Sequence, residues 1–173
     1  MSNDEQVRFN PSISAAIRNR NITVLRELFA AEPQQLRAIT PFAGGTWLHY
    51  AAREGDIDAV RLLLSLGLNV DVGDAREGRA PICDASLGGH EDVVEALLDA
   101  GAALDTSEPV RNPLFAAIIG RSLPIVRLLL SRHVESNVRC DGPSMNNMDA
   151  VAFALERGEV EIAKESFALE CRR

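Results

Sequence analysis

Apolar positions recur along the chain at helical spacing, in short units that end at glycine or polar turns. Residues 56–67 show the i, i+3, i+6, i+7 spacing of one buried stripe, at Ile57, Val60, Leu63 and Leu64. Gly55 stands before this stripe and breaks the preceding helix, and Gly67 follows it where a left-handed C-cap is needed. The pattern predicts two short helices joined by a tight turn.

The same pattern returns without a gap inside a unit of 22 residues. "TWLHYAAREGDIDAVRLLLSLG" (46–67) aligns with "APICDASLGGHEDVVEALLDAG" (80–101) at an offset of 34, and then with "NPLFAAIIGRSLPIVRLLLSRH" (112–133) at an offset of 32. Two weaker copies cover residues 11–32 and 149–170. One helix pair cannot bury both of its apolar faces, so each pair must stack on the next. The repeat predicts an all-α solenoid of five helix-turn-helix units.

Segments rich in Gly, Asp, Ser and Pro separate the units, for example "LNVDVGDAREGRA" and "ALDTSEPVRN". Such compositions favour extended arms that end in tight turns. We therefore expect β-hairpin-like loops that project sideways as fingers. The last finger, around "CDGPSMNN", is predicted to be the longest.

The repeated units resemble the ankyrin repeat family. Its signature Thr-Pro-Leu-His-x-Ala is approached by "TWLHYA" (46–51) and "APICDA" (80–85), and "GHEDVVEALLDAGAALD" (89–105) is similar to its second helix and closing Gly-Ala. The resemblance implies a tail over residues 1–9 and a single ankyrin-type domain over 10–173, with repeats at about 10–43, 44–77, 78–109, 110–146 and 147–173. Cys83 and Phe115 replace the signature histidine, so the family's histidine-centred hydrogen bonding is expected at His49 alone.

Composition and charge reduce the number of functions that the chain could have. The longest uninterrupted apolar stretch, residues 114–119, is far below the roughly 18 residues of a membrane span. Residues 1–10 show no basic start followed by an apolar run, so we expect no signal peptide. We therefore predict a cytoplasmic, monomeric protein without membrane contact. Residues 41–109 carry four arginines against thirteen acids within a net charge of −7. This field favours a partner protein with a basic surface and disfavours nucleic acid, although charge alone leaves open a solvated acidic face without a partner.

Candidate chemistry centres on His49 and Cys83, which occupy the same position of consecutive repeats beside Asp84. The trio resembles a Cys-His-acid arrangement. However, a nucleophilic thiol needs an electropositive, accessible pocket, and this is the acidic part of the chain. We therefore interpret His49 as scaffold and Cys83 as a small buried hydrophobe. The three cysteines form no CxxC pair, and no P-loop or metal-ligand spacing is present, so we predict no cofactor, no metal and no enzyme, with a Cys/His-dependent enzyme as the alternative.

The resemblance also implies where a partner binds: at the finger tips and the exposed side of the first helices, which line a concave groove. Carried over by register, this groove surface consists of Arg53, Glu54, Arg76, Glu77, Arg79, Leu87, Glu108, Arg111, Ile119, Met145, Met148, Glu156 and Arg157. Leu87 and Ile119 stand out, because a solvated position has no structural need for an aliphatic side chain. With Met145 and Met148 they predict an apolar strip rimmed by charges, unless wider helix spacing or the last finger covers them.

The function expected from these observations is non-enzymatic protein binding through the groove surface. A small acidic array fits a dedicated inhibitor or immunity-type protein that blocks an enzyme or toxin, since its acidic middle would complement a basic cleft. The alternative within the same class is an adaptor in a larger assembly.

Overall fold

The computed structural model describes residues 9–42, 44–134, 139–142 and 145–170. In these ranges ten α-helices form five consecutive pairs. The first helices of the pairs are α1 (Pro11–Arg18), α3 (Trp47–Glu54), α5 (Pro81–Gly88), α7 (Pro113–Ile119) and α9 (Ala150–Glu156). The second helices are α2 (Ile22–Ala31), α4 (Ile57–Ser65), α6 (Glu91–Asp99), α8 (Leu123–Ser131) and α10 (Val160–Glu170).

Local chemistry sets the ends of these helices. Asp56 precedes α4, and its carboxylate accepts the N–H of Ala59 at 3.1 Å, which satisfies one of the unpaired donors of the first turn. Pro81 and Pro113 each occupy the first position of a helix, where a missing N–H costs little. Gly55 ends α3 with a φ of +68°, in the left-handed conformation that glycine adopts most easily.

The helix pairs stack in register. The first helices contact one another in chain order from α1 to α9, and the second helices do the same from α2 to α10. Leu63, Leu97 and Leu129 occupy equivalent positions of successive second helices, and all three are completely buried. The predicted all-α ankyrin-type solenoid is therefore confirmed.

The fingers are held by short-range hydrogen bonds. In the finger between α4 and α5, Asp74 and Arg79 are joined by a backbone bond of 2.9 Å, and the carboxylate of Asp74 accepts the N–H groups of Arg76, Glu77 and Gly78. The finger between α8 and α9 contains two antiparallel strands, β1 (Cys140–Gly142) and β2 (Met145–Met148). It is the longest connection between two repeats in the described structure.

The two ends of the stack are closed differently. Next to the first pair, the buried Trp47 of α3, which replaces the signature proline, stacks on Phe9 and donates its indole N–H to the carbonyl of Gln35 at 2.8 Å. At the other end α10 carries the polar residues Glu161, Lys164 and Glu165, together with Phe167, which is 58% exposed. No helix in the described ranges is both long enough and apolar enough to cross a membrane.

Candidate protein-binding surface

The side chain of His49 links the second repeat to the finger that follows it. Its Nδ1 lies 3.0 Å from the backbone nitrogen of Thr46, and its Nε2 lies 2.8 Å from the carbonyl oxygen of Arg79. An amide N–H can only donate and a carbonyl can only accept, so Nδ1 accepts and Nε2 carries the proton. Both ring nitrogens are therefore occupied by backbone groups, as a scaffold role requires.

Cys83 makes the equivalent link one repeat further along. Its thiol donates to the carbonyl oxygen of Arg111 at 3.0 Å, in the position that the imidazole of His49 fills towards Arg79. The expectation that this bonding is confined to His49 is therefore wrong, because a thiol is a weak donor that can replace the imidazole N–H. Burial, and then the charge of Asp84, raise the pKa of the Cys83 thiol to about 12. A thiol of this kind is a poor nucleophile at neutral pH.

Other candidate chemical residues are also used by the scaffold. His90 precedes α6 and places its Nε2 2.9 Å from the carbonyl oxygen of Arg53. It therefore caps α3, the first helix of the previous repeat. His133 is exposed at the end of α8, with a φ of +64°. Across the described residues, no group of three or more His, Cys, Asp or Glu side chains is placed to hold a metal ion.

Three charged side chains form a cluster beneath the groove surface. The guanidinium of Arg79 lies 3.5 Å from the carboxylate of Asp74 and 3.7 Å from that of Asp84. Burial opposes ionisation of Asp74, but the backbone N–H of Glu77 and the charge of Arg79 outweigh it and hold the pKa of Asp74 below its ordinary value. Burial dominates at Asp84 and raises its pKa, although Arg79 acts in the opposite direction. The fold therefore favours the charged form of Asp74 and disfavours the charged form of Asp84.

The predicted groove residues divide into two groups by exposure. The exposed side chains are Arg53, Arg76, Glu77, Glu108, Ile119, Glu156 and Arg157. The partly buried ones are Glu54, Arg79, Leu87, Arg111 and Met148. Met145 lies in β2, and its side chain is outside the described part of the chain.

Several of the predicted contact residues have structural partners. Arg79 belongs to the buried cluster, and Arg111 donates from its Nε to the carbonyl oxygen of Glu77 at 2.9 Å, which braces one finger against the previous one. The guanidinium of Arg157 lies 5.6 Å from the ring centre of Phe153. The side chains of Arg79 and Arg111 are thus less free to meet a partner than their register suggests.

The predicted apolar strip is narrower than the sequence indicates. Ile119, the last residue of α7, is 42% exposed, whereas Leu87 is half-buried and packs against the core. A Cβ atom added to Gly120 would lie 2.6 Å from the carbonyl oxygen of Leu87, so the end of α7 approaches α5 closely. Met148 is also half-buried against the core. Ile119 is the most exposed aliphatic side chain among the described groove residues.

Sequence reasoning missed an aromatic pair beside this surface. Phe42 lies in the first finger, is 40% exposed, and stacks on Tyr50 with ring centres 4.5 Å apart. Its partner was visible next to His49 in the signature stretch. Phe42 could not be identified from the sequence, because it precedes the aligned unit and its position depends on the path of the finger.

Most of the exposed acidic side chains of the middle repeats lie on the second helices. Of the thirteen acids in residues 41–109, five are exposed on second helices: Asp58, Glu91, Asp92, Glu95 and Asp99. The exposed groove residues of both signs are interspersed instead. The net negative charge is therefore not concentrated in the groove.

Comparisons with known proteins agree with this architecture. A family model described as ankyrin repeats (3 copies) matches residues 13–108. The chain is 32% identical over 121 residues to the ankyrin repeat protein YahD of Escherichia coli (strain K12), which covers 68% of this chain and 57% of YahD. It is 40% identical over 119 residues to the ankyrin repeat and KH domain-containing protein mask-1 of Caenorhabditis elegans (66% of this chain, 4% of that protein).

A third relative is the B-cell lymphoma 3 protein homolog of Mus musculus, which is 31% identical over 124 residues, covering 71% of this chain and 27% of that protein. The chain thus spans just over half of YahD and smaller shares of the other two relatives. The matches, the stacked helix pairs and the ring of His49 bonded between repeats lead to one conclusion. The chain belongs to the ankyrin repeat family, whose arrays are protein–protein interaction modules.

Proposed function

We propose that this chain is a non-enzymatic cytoplasmic protein that binds one partner protein through the groove surface. The observation that carries the proposal is Ile119, an aliphatic side chain 42% exposed at the end of the first helix α7. An apolar centre with a charged rim is the usual composition of a protein interface. Arg53, Glu77 and Glu108 supply exposed charges of both signs at this rim.

We further propose that binding blocks the partner, which is an enzyme or toxin with a basic surface. The exposed acids on the second helices create a negative field outside the groove. Such a field attracts a basic partner over a distance of about a Debye length, ~8–10 Å in physiological salt, and speeds association. The interspersed charges of the groove surface then select the bound orientation.

An adaptor role is the second candidate, and the position of the acidic residues is what favours it. Glu91, Glu95 and Asp99 lie on α6, on the opposite layer from the groove surface. A protein with two separate recognition surfaces can hold two partners together. Recovery of several assembly components, instead of a single basic protein, would favour this role.

The test is affinity purification of the tagged chain from its native cells, with two matched variants. Ile119→Glu should remove the partner, because it places a charge in the apolar centre of the proposed interface. Leu66→Glu is the control, since Leu66 is also 42% exposed and also lies at a helix end, but on the second-helix layer. Circular dichroism should show the same helix content for both variants. Retention of the partner by Ile119→Glu contradicts the proposal.

A further inference from the structure

A small cavity lies between α3, α5 and the fingers that precede them. Its volume is about 10 Å³, and it is lined by Phe42, Gly45, His49, Tyr50, Arg53, Asp74 and Asp84. A space of this size holds one group as large as a water molecule. Two carboxylates and an aromatic pair around so small a space point to a compact cationic ligand.

The buried charges beside this cavity are unequal. Asp74 and Asp84 share one guanidinium, that of Arg79. Asp74 also accepts three backbone N–H groups, but the Asp84 carboxylate, only 8% exposed, accepts no hydrogen bond from any residue that the structure describes. His49 cannot supply one, because both of its ring nitrogens are already bonded. Asp84 therefore brings a nearly buried negative charge to the cavity without the donors such a charge needs.

The aromatic side of the cavity offers a different kind of contact. Phe42 stacks on Tyr50 at an interplanar angle of 23° and leaves 40% of its surface exposed. A lysine side chain combines an apolar methylene stem with a charged end. The exposed ring of Phe42 suits the stem, and the carboxylate of Asp84 suits the charged end.

We propose that this cavity receives the ammonium group of a lysine side chain presented by the partner protein, with Asp84 as its counter-ion. The inference rests on the proposed function, because the partner supplies the lysine. An ammonium nitrogen has three donors and the size of a water molecule, so it can complete the bonding of Asp84. A guanidinium is a larger planar group and does not fit the space.

Arg53 gives the proposal a directional consequence. Its side chain lines the cavity and is exposed, and its positive charge opposes the entry of a second cation. Replacement by the uncharged Arg53→Gln should therefore strengthen lysine binding. A purely structural cavity would show no such response.

The test uses small probes on the full chain. We titrate three probes: Nα-acetyl-lysine amide, which keeps its ε-ammonium group, Nα-acetyl-norleucine amide and Nα-acetyl-arginine amide. The backbone amide resonances of Gly45, Tyr50 and Asp84 are followed by NMR. The lysine probe should give saturable shifts with a dissociation constant of about 1–10 mM. The norleucine and arginine probes should bind at least about tenfold more weakly, since one lacks the charge and the other exceeds the space.

Two variants identify the counter-ion. Asp84→Asn should weaken the lysine probe at least about tenfold and still fold, because Arg79 keeps Asp74 as its partner. Asp58→Asn is the matched control, as it makes the same chemical change and the same change in net charge on an exposed part of α4. Its affinity for the probe should match that of the unaltered chain.

The results separate this inference from the proposed function. Absence of saturable lysine binding up to about 100 mM, equal binding by Asp84→Asn, or equal binding of the arginine probe overturns the lysine assignment. If the co-purified partner binds Asp84→Asn normally but not Ile119→Glu, the groove function stands and the lysine assignment fails. If the partner survives Ile119→Glu, the groove function fails, whatever the probes show.

Discussion

The Nε2 atom of His49 lies 2.8 Å from the carbonyl oxygen of Arg79, although the two residues are 30 positions apart in the chain. This bond ties a first helix to the finger that follows it, and the thiol of Cys83 makes the same tie to Arg111 one repeat later. Because each tie joins adjacent repeats, it fixes the finger relative to the helices. The groove surface depends on that geometry.

Removal of the imidazole should weaken the fold measurably. His49→Ala leaves the N–H of Thr46 without its partner, and a buried unsatisfied group costs about 1–3 kcal/mol. It also removes one of the two hydrogen bonds that the carbonyl of Arg79 accepts, worth about 0.5–1.5 kcal/mol, while the N–H of Asp74 still donates to that carbonyl. We expect the free energy of unfolding in urea to fall by about 2–4 kcal/mol. His133→Asn is the control, since His133 is exposed and asparagine tolerates its positive φ; it should change stability by less than about 0.5 kcal/mol. Equal losses in the free energy of unfolding from both variants would contradict a stabilising role for the hydrogen bonds of His49.

The buried thiol should be nearly inert while the protein is folded. With Cys140→Ser and Cys171→Ser in place, Cys83 is the one remaining cysteine. Its pKa of about 12, raised by burial and by Asp84, leaves very little thiolate at neutral pH. Alkylation by iodoacetamide at pH 8 should be at least about a hundredfold slower in the native state than in urea. Comparable rates in the two states would show that Cys83 is accessible and reactive.

Asp74 and Asp84 should act on stability in opposite directions. The fold lowers the pKa of Asp74, so its ionised form stabilises the native state above the unfolded value of 3.8, and that stability is lost as the pH falls through the folded value. The fold raises the pKa of Asp84, so its charge destabilises the native state at neutral pH, and this penalty disappears as the pH falls through the raised value towards 3.8.

Two asparagine variants test these signs in urea titrations at several pH values. At pH 7 Asp74→Asn should be less stable than the unaltered chain by about 1–3 kcal/mol, because charge-assisted bonds to the finger backbone are lost. Asp84→Asn should be more stable at pH 7, and its advantage should shrink as the pH falls towards 3.8. A destabilised Asp84→Asn, or a stabilised Asp74→Asn, would reverse the assignment.

Two glycines with positive φ distinguish backbone strain from steric overlap. Gly101 has a φ of +91° and open space around its missing side chain, so Gly101→Ala should cost about 1–2 kcal/mol from strain alone. Gly55 has a φ of +68°, and an added Cβ would overlap the imidazole of His90, which caps α3. Gly55→Ala should therefore cost more, about 3 kcal/mol. Similar unfolding midpoints for both variants would mean that His90 moves without penalty.

Sequence was sufficient for the helices because their signals are local. Gly55 ends a helix and Pro113 begins one, and the buried leucines follow a helical spacing that each repeat preserves. The bond from Cys83 to Arg111 was not predictable, because it depends on where a finger backbone passes. The exposure of Phe42 depends on the same kind of long-range path.

The position of the acidic residues on the helices could be predicted in part from the sequence. Glu91, Glu95 and Asp99 recur every four residues and therefore share one side of α6. A count of charge by segment, however, does not show which layer of helices carries the acidic residues. The burial of Leu87 needed the structure, since it depends on how closely α7 approaches the end of α5.

Hydrogen exchange of the chain with and without its co-purified partner tests the binding surface most directly. Binding should slow amide exchange in the first helices α3, α5 and α7 and in the fingers that precede them, because these carry the groove surface. The second helices α4 and α6 should exchange as before. Protection confined to α4 and α6, with the fingers unchanged, would show that the partner binds the second helices and that the groove surface is not its site.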